Sequence, residues 1–60
     1  MKLAEKCKKI RQICNLSQTE LGEIIGTNQT AISFIERGFI PPQNVIIKIK
    51  QVYKNNLRRK

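Results

Sequence analysis

The sequence predicts an all-α protein: a compact bundle of four short helices, with a fifth left open at its C-terminal end. Three observations carry this. Apolar residues recur at steps of three and four, and no stretch alternates strictly as a half-buried strand would. Turn-forming residues punctuate the chain at "CNLS", "GTN" and "RGFIPPQN". The length, 60 residues, makes one domain over 1–60 at most, and a chain this short must pack tightly or gain a partner to be stable.

In the first element Leu3, Cys7, Ile10 and Cys14 recur at steps of four, three and four. At about 100° per residue they form one stripe, with Ala4 and Ile13 on its flanks. Cys7 and Cys14 lie two turns apart, about 10 Å at 1.5 Å per residue, too far to be bridged. Both read as core residues, cysteine being among the most buried types.

The second element opens with "NLSQTE". Ser17 and Glu20 make a capping box and Leu16 and Leu21 a hydrophobic staple, so a helix begins at Gln18. Leu21, Ile24 and Ile25 give it an apolar side. Gly22 admits a close neighbour, and Gly26 ends the helix in a backbone conformation that other residues avoid. A third helix follows at once, capped by Thr27 or Asn28 and closed by Gly38 at C′. Pro41 and Pro42 hold the next connection open, and Gln43 or Asn44 caps a fourth helix. There Val45, Ile46, Ile49, Val52 and Tyr53 repeat at helical spacing, with Ile47 off the stripe. This helix either runs to about Asn56 or gives way to a turn in "KNNLRRK".

Composition narrows the function. Twelve Lys and Arg against four Asp and Glu give +8 and a pI of about 10.1, a charge drawn to polyanions. The absence of histidine removes the commonest general base and metal ligand. No nucleophile–base pair stands out either, so no enzyme, metal site, cofactor or small-molecule substrate is expected. No apolar run is long enough to span a bilayer, and "MKLAEKCKK" is too charged for a signal peptide. Unpaired cysteines fit a reducing cytoplasm.

Two short helices separated by only a glycine-centred turn cannot lie side by side, and must cross steeply as a helix-turn-helix over about 18–37. On a wheel at about 100° per residue, Ala31, Ile32 and Ile35 of the third helix fall inward. Gln29, Thr30, Ser33, Phe34 and Arg37 share an outward arc of roughly 140°.

The segment Leu16 to Gly38, "LSQTELGEIIGTNQTAISFIERG", resembles the phage repressor and Cro type of helix-turn-helix regulator, the xenobiotic-response-element family. The Leu-Ser-Gln entry, Leu21, Gly22, Ile25, Gly26, Ile32, Ile35, Glu36 and Gly38 carry the likeness. Arg11 and the "PP…IIxI" segment extend it to about fifty of the residues. The resemblance implies a lambda-repressor-like bundle that binds double-stranded operator DNA as a homodimer, in a phage or prokaryotic cell, with its third helix in the major groove. Residue by residue, it assigns Gln29, Thr30, Ser33 and Phe34 to base edges. Gln18, Asn28, Arg37 and Asn44 go to the backbone, with Gln18 also steadying Gln29, and Arg11 and Glu36 form a structural salt bridge.

The side chains suit these assignments. Gln29 can pair with adenine N6 and N7, Thr30 and Ser33 with several base edges, and Phe34 can pack on a thymine methyl, which favours A·T-rich half-sites. The amides and dipole at the start of the second helix favour a phosphate. Two features depart from the family. The loop "GFIPPQN" lacks the basic residues common there, carrying Phe39 and Ile40 instead, and the chain ends where relatives have a fifth, dimerising helix. Phe39, Ile40 and Ile47 are the spare apolar residues for a dimer contact. The expected function is a transcriptional regulator, most simply a repressor on a palindromic operator. A DNA-binding antitoxin or accessory subunit is the nearest alternative, and a cationic membrane peptide is disfavoured by the caps and turn glycines.

Overall fold

The computed structural model describes residues 2–57, which form α1 (Leu3–Cys14), α2 (Gln18–Ile25), α3 (Gln29–Glu36) and α4 (Gln43–Leu57). Met1 and residues 58–60 lie outside the described residues, so whether a fifth element follows α4 falls beyond them. The fourth helix takes in the first part of "KNNLRRK", running through Leu57.

Each helix boundary has a local cause. Asn15 ends α1 in the left-handed region at φ 57°, and the Leu16 amide donates to the Arg11 carbonyl at 2.9 Å. At the start of α2 the Ser17 hydroxyl accepts from the Glu20 amide at 3.1 Å. The Glu20 carboxylate in turn accepts from the Ser17 amide at 2.9 Å, which completes the capping box. Gly26 closes α2 at φ 91°, and the Thr27 amide bonds to the Gly22 carbonyl at 2.7 Å. Of the two caps open for α3, Asn28 serves: its Oδ1 accepts from the Ala31 amide at 2.9 Å.

The end of α3 is a full Schellman motif. With Gly38 at φ 108°, its amide donates to the Ile35 carbonyl and that of Phe39 to the Phe34 carbonyl, both at 3.0 Å. The start of α4 differs from expectation, since neither Gln43 nor Asn44 caps it. The Pro42 carbonyl accepts from the Val45 and Ile46 amides at 3.0 and 3.1 Å, so the helix already includes Gln43. Proline tolerates that place because its fixed φ suits a helix entry and its missing amide would have gone unused.

Seven residues make the core: Cys7, Ile10, Leu21, Ile25, Ile32, Ile35 and Ile49, with Leu3, Cys14, Leu16, Val45, Val52 and Tyr53 packed around them. All four helices contribute, and α1 lies centrally, against α4, α3 and α2. Both cysteines are free. Cys7 is in the core, whereas Cys14 is half-buried, its thiol donating to Asn56 Oδ1 at 3.0 Å. Ile24 departs from the apolar side assigned to it and is 46% exposed. The neighbours of α2 cover Leu21 and Ile25, and Ile24 lies about 100° round from Ile25, past the covered sector.

Gly22 is required by the close approach of α2 to the start of α3. A Cβ there would lie 2.7 Å from the Asn28 carbonyl carbon and 2.9 Å from its oxygen. The two helices of the turn therefore meet backbone to backbone.

Candidate nucleic-acid interface

The outward side of α3 is built by its amphipathic period and its two ends. Ile32 and Ile35 are buried and Ala31 half-buried, which turns Gln29, Thr30, Phe34 and Arg37 to solvent, with Ser33 half-covered. Asn28 stands at the entry, its side-chain oxygen committed to capping. Asn44, at the start of α4, is exposed.

Phe34 is 45% exposed and leans on Phe39, with ring centroids 5.3 Å apart and the planes tilted by 34°. This is the apolar contact between C3 and C″ that accompanies a Schellman motif. The signal for it stands in the chain, two aromatic residues five apart astride Gly38.

A polar network fixes α3 to the rest. Arg11 Nη1 on α1 donates to both carboxylate oxygens of Glu36, at 2.9 and 3.0 Å, and Arg11 Nε donates to the Leu16 carbonyl at 3.4 Å. The Glu36 side chain is 7% exposed and that of Arg11 31%. Gln18 Nε2 also donates to Glu36, at 3.2 Å. The structure thus puts the Gln18 amide on Glu36 and forms no hydrogen bond between Gln18 and Gln29. A glutamine and a glutamate eighteen positions apart carry no local pattern, so this link was not readable from the chain. Beneath the network the Cys7 thiol is pushed up to about 11, chiefly by burial and then by the Glu36 charge, with Arg11 opposing.

At the start of α2 the Gln18 and Thr19 amides make no hydrogen bond among the described residues, the condition for accepting an anion. Glu20 places a negative charge beside them. Charge on the whole unit is sparse: residues 18–38 carry Glu20, Glu23 and Glu36 against Arg37 alone, a net −2. The loop after α3 presents Phe39 and Ile40, 63% and 80% exposed.

Two short helices joined through Gly26, the second turning a polar arc to solvent, define a helix-turn-helix unit. The helix-turn-helix family model HTH_3 matches residues 8–58, and the chain belongs to that family, the Cro/C1 type. No curated protein and no solved structure matches the chain. The family is one of DNA-binding transcription regulators and not of enzymes. Among the described residues, no helix is long and apolar enough to cross a membrane.

Proposed function

We propose that this chain is a sequence-specific regulator that reads double-stranded DNA through the major groove with α3. In its simplest form it is a cytoplasmic repressor that covers a palindromic operator as a homodimer. The observation that carries the reading is the polar arc of α3, held rigidly to α1 and α2 by the Glu36 network and the Gly22–Asn28 contact. A helix fixed in this way presents side chains to base edges without a large ordering cost on binding.

In this reading Gln29 pairs with adenine, Thr30 and Ser33 bond to base edges, and Phe34 covers a thymine methyl. Phe39 supports the Phe34 ring from behind, which limits its motion and sharpens that contact. Asn28, Arg37 and Asn44 meet phosphates through side-chain donors, and the open amides of Gln18 and Thr19 add a further phosphate contact. Phe39, Ile40 and Ile47 supply the apolar surface for the second protomer.

Selection from random duplex DNA, with sedimentation at micromolar protein, tests this. Two A·T-rich half-sites about one helical turn apart are expected for a dimer. Phe34→Ala is expected to relax the preference for thymine at one position per half-site. Binding indifferent to sequence would sink the proposal.

A further inference from the structure

The charge of the molecule does not lie where its α3 arc lies. The helix-turn-helix residues 18–38 carry a net −2 within a chain total of +8, which leaves +10 on the rest. Phosphate attraction supplies nearly all non-specific DNA affinity, and this unit holds too little positive charge to provide it.

The lysines of α1 and α4 are grouped by side. Around α1, Lys6 and Lys9 stand about 140–160° from Arg11, at 100° per residue, and Arg11 is the residue tied to α3 through Glu36. They therefore occupy the flank of α1 turned away from α3. Lys6 marks which neighbour that flank meets, because its Nζ lies 5.7 Å from the centre of the Tyr53 ring on α4. On α4, Lys50 and Lys54 follow round the helix on the Tyr53 side of the buried Ile49, about 60° and 100° beyond Tyr53. Lys9, Lys50 and Lys54 are exposed, Lys6 and Tyr53 half-covered. Among the described residues the one ion pair is Arg11–Glu36; the carboxylate on this flank, Glu5, accepts from the Lys2 amide and pairs with none of these lysines, so the face keeps a net positive charge.

We propose that this lysine face, centred on Tyr53, is a second DNA-backbone surface that takes a duplex segment other than the one read by α3. The choice of duplex as occupant rests on the DNA-binding reading above. The described residues measure 29 × 20 × 18 Å, and α1 packs between α3 and α4, which do not pack on each other. A straight duplex lying in one face cannot also reach the other. With both faces filled, the protein holds two segments together.

Two double variants with the same net charge separate this face from charge in general: Lys9→Gln with Lys54→Gln on the face, and Lys8→Gln with Lys48→Gln off it. One duplex is fixed to a bead and saturated with protein, and capture of a second, fluorescent duplex is measured. The native protein is expected to capture it, and the on-face variant to need about tenfold more second duplex for half-capture. The off-face variant should stay within about twofold of the native protein. Unchanged circular dichroism shows that both variants fold. No capture by the native protein, or equal loss in the two variants, overturns the proposal. Binding of phosphatidylglycerol vesicles lost only in the on-face variant, without duplex capture, assigns the face to a membrane surface and also overturns it. Saturation of the first duplex is read independently, so sequence-selective binding without capture removes this face alone. Capture without sequence selectivity removes the operator reading alone.

Discussion

Glu36 is where three helices meet through single side chains, since its carboxylate accepts from Arg11 of α1 and Gln18 of α2 while it closes α3. Truncating it strands the Arg11 guanidinium, a loss of about 3–5 kcal/mol in a fully buried pair. Arg11 keeps 31% of its side-chain surface, so water recovers part of that. Glu36→Ala is expected to cost about 2 kcal/mol, a fall in Tm of roughly 10 °C for a domain of this size. An unchanged melting temperature would remove the pair from the structural account. Cys7 makes a second prediction at this scale. Its pKa in the folded chain, about 11, stands above the ordinary 9.0, so folding favours the neutral thiol. That stability is present in full below pH 9 and is lost as the pH rises through 11. Cys7→Ala cannot ionise there, and its Tm should fall less steeply between pH 9 and 11 than that of the native chain. Parallel curves would contradict the burial of this thiol. Its place in the core was legible from the helical period, whereas the nearby Glu36 charge was not, because it comes from another helix.

Gly22 shows how an element depends on its neighbour. In an exposed helix, replacing glycine by alanine stabilises by about 1 kcal/mol. Here the new Cβ would meet the Asn28 carbonyl carbon at 2.7 Å, and backbone cannot step aside without carrying α3 with it. Overpacking of this kind costs about 1–3 kcal/mol, so the clash outweighs the propensity. Gly22→Ala should lower the Tm and weaken DNA binding by displacing α3, and a raised Tm would show that the helices stand further apart. The need for a small residue was legible in the sequence, but the group it makes room for was not. Ile24, one of the three residues of the apolar side of α2, stays largely uncovered for a related reason: an eight-residue helix has several apolar neighbours, and only packing decides which sector is covered. Caps were more legible than faces, since a cap is written in adjacent residues. At α4 the local signal misled, because a proline carbonyl did the work expected of a side chain.

At the scale of the whole molecule, a charge of +8 is carried by a chain whose described residues span only 29 × 20 × 18 Å. Mutual repulsion of that kind destabilises the compact state and is screened by salt, the screening length falling from about 30 Å at 0.01 M to about 3 Å at 1 M. A cooperative melt in plain buffer is expected, with Tm rising by several degrees between 20 mM and 500 mM NaCl. A Tm that falls with salt would mean that attraction between charges outweighs repulsion.

The helices and most of their ends were determined by the sequence alone, because periodicity, caps and turn glycines act between residues at most five apart. The polar arc of α3 was determined the same way. Only the tertiary structure decided that Gln18 serves Glu36 and that Lys6 and Lys9 of α1 come to the same side as Tyr53, Lys50 and Lys54 of α4. These arrangements join residues remote in the chain. They follow from how the helices cross, which is set by the packing of the shared core and not by any one segment.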